Sequence, residues 1–152
     1  MPTRVGSVLR SVADGLGAVV GAALLSQAPE FTQQYIQRLG GHRDEAMQFV
    51  EMLRARGAAA PDAVLAAAQT RLETLNNALE AVLGAEDLVR PLALIRHIEG
   101  EIAIATIEAF RPAVPLTPAG LVYAGIGLIL GLVLVNVVFA PVSWFWKRRK
   151  HA

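Results

Sequence analysis

The stretch "AGLVYAGIGLILGLVLVNVVFA", Ala119 to Ala140, decides the fold because it runs for 22 residues without a charged side chain. As an α-helix rising ~1.5 Å per residue it would be about 33 Å long, enough to cross the ~30 Å hydrocarbon core of a bilayer. Trp144 and Trp146 follow it, as expected of aromatic anchors at a membrane interface. The stretch therefore predicts a transmembrane helix.

A run of four basic residues follows the aromatic pair: Lys147, Arg148, Arg149 and Lys150. Positive charge beside a span favours the cytoplasmic side, so we expect this tail to be cytoplasmic. The same four side chains could also bind anionic lipid, each contributing about 1 kcal/mol near the surface. Topology alone and lipid binding both remain open as roles for the tail.

A second apolar segment, from about Val5 to Leu25, precedes the helical middle of the chain. It contains Arg10 and Asp14, whose i,i+4 spacing would let them pair on a helix. Ser26-Gln27-Ala28 has the small-x-small pattern of a signal-peptidase site, so a cleaved signal peptide competes with a retained span. Pro29 directly after the cut, and an acid within the apolar region, both favour a retained transmembrane helix.

Polar and small residues of the two apolar segments fall at matching depths. Asp14 would lie ~15 Å, and Asn136 ~16 Å, above the cytoplasmic edge of an antiparallel hairpin. Each segment also contains a pair of glycines one turn apart, which lets helices approach closely. We expect the spans to pack, within one chain or in an oligomer, through Gly17, Gly21, Gly127, Gly131, Asp14 and Asn136.

The middle of the chain, 30–115, is mildly acidic. It has eight arginines against twelve acids, a net −4 in a chain of net +1, and no basic stripe. We therefore expect no nucleic-acid partner. A loop longer than about 60 residues largely escapes the charge rule, so the middle can lie across the membrane from both cytoplasmic termini.

The sequence predicts four helices in this middle region. The first, opened by Pro29 and Glu30, should end at Leu39 before Gly40-Gly41, with Phe31 and Tyr35 at the membrane interface. The second should run over 43–56. The third should start at Pro61-Asp62, end at Gly84, and carry a coiled-coil-like heptad seam of Leu65, Ala68, Leu72, Leu75, Leu79 and Val82.

The fourth helix should run from about Asp87 to Phe110 and pair with the third as an antiparallel hairpin. Its expected seam consists of Ile95, Ile98, Ile102, Ala105 and Ala109. Ile104 and Ile107 lie off that seam, so a second apolar face needs the second helix or a partner subunit to cover it. Prolines at 112, 115 and 118 favour an extended riser into the C-terminal span.

Catalytic chemistry has few residues to draw on. The chain has no cysteine, and its middle has no serine or lysine, so covalent catalysis by the usual nucleophiles is nearly excluded. His97, Glu101 and Glu108 could seed a metal site, but ordinary ion pairing with neighbouring arginines is the favoured interpretation. We therefore expect no enzyme activity, no cofactor and no metal.

The block "PEFTQQYIQRLGGHRDEA", Pro29 to Ala46, resembles a bacterial family of small membrane proteins of unknown function. Members share its layout: an N-terminal hydrophobic segment, this block, a helical middle and a C-terminal span with a basic end. The resemblance implies a bacterial inner-membrane protein. It transfers no catalytic or ligand residues, because none is assigned in the family.

These observations together predict an all-α membrane protein in which two transmembrane helices flank a helical hairpin or bundle. The expected parts are an N-terminal span 1–28, a periplasmic domain 29–115, a C-terminal span 116–146 and a basic tail 147–152. The expected function is a structural, scaffolding or accessory subunit, in a homo-oligomer or a larger complex in the lipid membrane. The alternative is an ion- or small-molecule-handling protein, a transporter accessory or a sensor, that uses Asp14.

Overall fold

The structure is a computed structural model that describes residues 4–59, 61–114 and 116–148. Within these ranges the chain forms helices and no strand, which confirms the all-α class. The helices are α1 Arg4–Leu25, α2 Ala28–Ala55, a 3-10 turn Gly57–Ala59, α3 Asp62–Leu83, α4 Arg90–Arg96, α5 Gly100–Glu108 and α6 Pro118–Arg148.

The chain divides into two compact units. The hairpin unit combines the chain up to Ala28 with the chain from Ala113 onwards, and it contains α1 and α6. The helical unit is Pro29–Pro112. Two helical stretches, one that begins at Ser7 in α1 and one, Pro118–Val138, in α6, are long and apolar enough to cross a membrane, with mean hydropathies of 1.6 and 2.5. The chain thus has two candidate membrane-spanning helices.

The helical unit is built around one main core to which all four of its α-helices contribute. The core residues are Tyr35 and Leu39 of α2, Leu75, Ala78 and Val82 of α3, Leu94 of α4, and Ile102 and Ala103 of α5. A smaller cluster joins Val50 and Leu53 of α2 to Ala68 of α3. Contacts at two places along α2 thus fix it lengthwise against α3.

Helix α3 confirms its sequence-based bounds. It begins directly after Pro61, whose extended backbone (φ −62°, ψ 131°) suits the residue before a helix. It ends at Gly84, whose N–H donates to Glu80 O at 2.8 Å. Ala68, Leu75 and Val82 of the expected seam are buried in the two cores.

Helix α2 contradicts the expected stop at Gly40-Gly41. It continues unbroken from Ala28 to Ala55, so the two expected helices are one. A glycine inside a helix costs only about 1 kcal/mol relative to alanine. Burial of Leu39 before the pair and of Val50 after it offsets that cost.

The expected single helix from Asp87 to Phe110 is also wrong, because the chain forms α4 and α5 with a break at 97–99. In the break, the N–H of Glu99 donates to the hydroxyl oxygen of Tyr35 at 2.8 Å. The core therefore uses Leu94 and Ile102, whereas Ile95 and Ile98 of the expected seam are exposed.

Tyr35 corrects the expectation of an interfacial side chain, because it is fully buried. Its ring packs in the main core and its hydroxyl accepts the Glu99 hydrogen bond. Phe31, one turn earlier, is half-buried against the same core and meets Phe110 with ring centroids 5.8 Å apart. An i,i+4 aromatic pair has the same spacing on a core face as on an interfacial face, so the pattern alone did not separate the two.

Candidate helix-packing site in the hairpin unit

Four glycines bring the backbones of α1 and α6 into direct contact. A Cβ added to Gly131 would overlap Gly17 O and lie 2.7 Å from the Gly17 carbonyl carbon. A Cβ added to Gly21 would overlap Gly127 O and lie 3.0 Å from Gly131 Cα. Since Gly17 meets Gly131 while Gly21 meets Gly127, the two helices run antiparallel. The structure thus brings together all four glycines singled out in the sequence.

Large aliphatic side chains of the described part of α1 and α6 are exposed around this contact. Leu16 and Val20 of α1, and Ile129 and Leu134 of α6, are each more than half exposed. Apolar area left in water costs roughly 25 cal/mol per Å² relative to its burial. A helix pair that buries a glycine seam and exposes large aliphatic side chains around it has the pattern of helices packed in lipid, where small residues form the contact.

A polar contact joins the two helices on the side of the glycines that is nearer to the N-terminus of α1 and the C-terminus of α6. Arg10 Nη2 donates to Asn136 Oδ1 at 2.7 Å, and Asn136 Nδ2 donates to Leu132 O within α6 at 2.9 Å. The expected Arg10–Asp14 pair does not form in the described part of the chain, because the guanidinium group bonds to Asn136 instead. Asn136 therefore pairs across the hairpin, and its partner is Arg10.

Asp14 lies one turn beyond Arg10 on α1. Its Oδ1 atom is buried and has no hydrogen-bond partner among the described residues. A buried carboxylate oxygen without a partner is costly, more so in a membrane than in a soluble protein. Asp14 is thus the group of the hairpin unit whose polar requirement its described neighbours leave unmet.

Two glutamines that the sequence analysis did not single out bond to the chain near the unit boundaries. In the hairpin unit, Gln27 Nε2 donates to Ala113 O at 3.1 Å, and Ala113 N donates to Gln27 Oε1 at 3.0 Å. In the helical unit, Gln34 Nε2 donates to Arg111 O at 2.8 Å, and Arg111 N donates to Gln34 Oε1 at 3.2 Å. Each amide satisfies both backbone groups of one residue.

The sequence gives only a weak signal for these two glutamines. They are seven residues apart, so two turns of helix would place them on one side. The backbone groups that they bond lie 77 and 86 residues further along the chain. No local pattern links a glutamine to partners at that separation.

The other residues that the sequence marked as possibly functional are not part of the glycine contact. Trp144, Trp146, Lys147 and Arg148 belong to the last turns of α6. Arg149 and Lys150 lie outside the described residues. His97, one of the residues that could seed a metal site, lies in the break between α4 and α5, and Glu101 lies in the first turn of α5. They therefore no longer share one helix.

Comparison with known proteins gives one family. The model of a family described as "Protein of unknown function (DUF2937)" matches residues 9–65 and 59–148, which together include most of α1, the helical unit and α6. A search of curated proteins and a search of solved structures find no significant match. The sequence-based expectation of an uncharacterised family is confirmed. This chain belongs to the DUF2937 family of proteins of unknown function.

Proposed function

We propose that this chain is a non-enzymatic integral membrane protein, a scaffolding or accessory subunit that acts through helix contacts. The hairpin unit anchors it in the membrane, and the helical unit contacts another protein. The expected setting is a bacterial inner membrane, with cytoplasmic termini and a periplasmic helical unit. The unknown-function family and the two apolar helices are compatible with a membrane protein, and the role as a subunit is our inference.

The observation that carries the proposal is the exposed aliphatic surface of α4 and α5. Ile95 is 67%, Ile104 60% and Ile107 64% exposed. Leu92 lies one turn before Ile95, and Ile104 lies one turn before Ile107, so each helix presents two aliphatic neighbours on one side. Exposed apolar patches on a folded unit mark interaction surfaces. A partner protein that covers these side chains would remove their cost in water.

Purification in a mild detergent, followed by identification of co-purifying proteins, tests the proposal. We expect the wild-type chain to run as a defined complex, either with itself or with another membrane protein. A triple variant I95Q/I104Q/I107Q should lose that association and still fold, because all three side chains are exposed. The matched control is Val64→Gln, which changes an exposed aliphatic residue of α3. A clean monomer of the wild-type chain would contradict the proposal.

A second function, the handling of an ion or small molecule, is favoured by the buried and unpartnered Oδ1 of Asp14. Ionisable residues inside spans commonly mark ion or proton paths. Asp14→Asn keeps the shape of the side chain and removes its acidity. If vesicles that contain the protein show ion or proton flux, and if D14N removes the flux without changing assembly, this second function is supported. Loss of assembly in D14N favours the structural role.

A further inference from the structure

We infer that the segment connecting the helical unit to α6 lies in the interfacial layer of the bilayer, where Val114 and Leu116 contact lipid. The inference rests on the proposed membrane insertion of the hairpin unit. It concerns described residues 111–114 and 116–117, which the sequence alone presents as an extended riser into the C-terminal span. The partner is a lipid surface, and the contact is apolar.

The position of the segment follows from its two ends. Ala113 is bonded in both directions to Gln27, which lies two residues past the end of α1. Leu116 lies two residues before Pro118, where α6 begins. Five residues of chain reach at most about 17 Å, so the segment cannot extend far from the ends of the two candidate spans.

Most of the described backbone polar groups of the segment are satisfied within the protein. The N–H groups of Arg111, Ala113 and Leu116 donate to Gln34 Oε1, Gln27 Oε1 and Val114 O, respectively. Prolines at 112, 115 and 118 have no N–H to satisfy. Backbone polar groups near hydrocarbon must be satisfied within the protein, whereas a linker in water has no such need.

Most of the described carbonyl groups of the segment also accept hydrogen bonds. Arg111 O and Ala113 O accept from the two glutamine amides, and Val114 O accepts from Leu116 N at 2.9 Å. Thr117 O accepts from Leu121 N at 3.0 Å, and Thr117 Oγ1 accepts from Gly120 N at 3.1 Å. The segment thus enters α6 through a capped first turn, with four of its six described carbonyls engaged by protein donors.

The side chains supply the apolar contact. Val114 is 77% exposed and Leu116 is 81% exposed, although the backbone beside each is hydrogen-bonded. No charged residue occurs between Arg111 and Lys147, so the uncharged stretch begins before α6 and includes this segment. Aliphatic side chains beside the end of a span bind at the boundary between headgroups and acyl chains.

Single nitroxide labels on this cysteine-free chain test the inference. We would place them at V114C and L116C in the full chain, reconstituted in phosphatidylcholine vesicles. Collision rates with oxygen, which concentrates in the bilayer, are then compared with those of a water-soluble nickel chelate. Leu134→Cys on the exposed face of α6 is the membrane reference, and Gln69→Cys on the exposed face of α3 is the water reference.

The expected result is an oxygen-to-nickel collision ratio at positions 114 and 116 several-fold above that at Gln69 and approaching that at Leu134. Ratios at 114 and 116 equal to that at Gln69, with a high ratio at Leu134, would overturn the inference and leave the membrane hairpin standing. A low ratio at Leu134 as well would overturn the membrane insertion itself, and the inference with it.

Discussion

Gly131 and Gly125 lie on the same helix and differ in what faces them. Gly131 is in contact with the backbone of α1, whereas a Cβ added to Gly125 would meet no atom within 4 Å. The contrast separates a glycine required by packing from a glycine that merely occurs in an apolar helix. Two glycine pairs at four-residue spacing were readable in the sequence. Which glycines face each other depends on the register of the hairpin.

Gly131→Ala should therefore destabilise the hairpin, and Gly125→Ala should not. The added methyl group in G131A overlaps Gly17 O, and overpacking of this kind typically costs about 1–3 kcal/mol. The methyl group in G125A meets open space and removes a glycine from a helix, which favours the helix by up to about 1 kcal/mol. Unfolding in mixed detergent micelles measures both. Equal stability of the two variants would contradict the close contact.

Tyr35 connects burial with a break in secondary structure. Its hydroxyl oxygen accepts the N–H of Glu99 at the point where α4 gives way to α5. Burial raises the pKa of this hydroxyl above its ordinary value, and the Glu99 hydrogen bond partly opposes the rise. The folded state therefore keeps the Tyr35 proton at pH values where an unfolded tyrosine loses it.

The sign of the pH dependence follows from this pKa. Above the ordinary tyrosine pKa of about 10, the unfolded state binds fewer protons than the folded state, so the free energy of unfolding falls as pH rises. Tyr35→Phe should lack this decrease. At neutral pH it should cost about 1–3 kcal/mol, because the Glu99 N–H loses its acceptor. Chemical unfolding of both chains at pH 8 and above pH 10 tests the difference. If the free energy of unfolding decreases equally above pH 10 in the wild-type chain and in Y35F, groups other than Tyr35 cause the decrease.

Helix α2 shows how tertiary packing overrides a local signal. The pair Gly40-Gly41 is a typical helix stop, yet the helix continues for fourteen residues beyond it. Leu39 and Val50 lie in different clusters on the core side, so a break between them would separate contacts that one straight helix makes together. The sequence alone could not weigh these distant contacts against the local cost of two glycines.

Replacing either glycine of the pair by alanine should stabilise the helical unit. Both are helical, and a Cβ added at either position meets nothing within 4 Å. The expected gain is up to about 1 kcal/mol for each substitution, since alanine is the better helix former. Thermal unfolding followed by circular dichroism gives the measurement. Loss of stability in G40A or G41A would show that the pair fulfils a structural need that these contacts do not reveal.

Helices α3, α4 and α5 separate what local patterns predict from what they do not. The bounds of α3 were predictable because a proline before it and a glycine after it act on their own neighbours. The break between α4 and α5 was not, because its Glu99 N–H is bound by a side chain 64 residues earlier. Ile95 and Ile98 fitted a seam pattern, yet the fold leaves them exposed.

At the scale of the whole molecule, the sequence indicated which glycines and polar groups matter in the hairpin unit, but it left their pairing open. Hydropathy and spacing pointed to Gly17, Gly131 and Asn136 because each interrupts an apolar helix. The Arg10–Asn136 hydrogen bond replaces the expected Arg10–Asp14 pair, since a register set by four glycines decides which groups are level. Short-range spacing within one helix carries no information about that register.

Disulfide formation within the cysteine-free chain tests whether α1 and α6 of one chain form an antiparallel hairpin. A Cβ at position 17 would lie 3.4 Å from Val135 Cβ, close to the roughly 3.8 Å of a disulfide, and V135C also removes the Val135 methyl group that faces Gly17. The control pair is L16C/L134C, one residue away on each helix and exposed on both.

Both double variants are oxidised in native membranes, and the crosslink is located by gel mobility and mass spectrometry. We expect an intramolecular disulfide for G17C/V135C and none for L16C/L134C. Equal crosslinking of the two pairs, or crosslinks of G17C/V135C only between chains, would contradict this expectation.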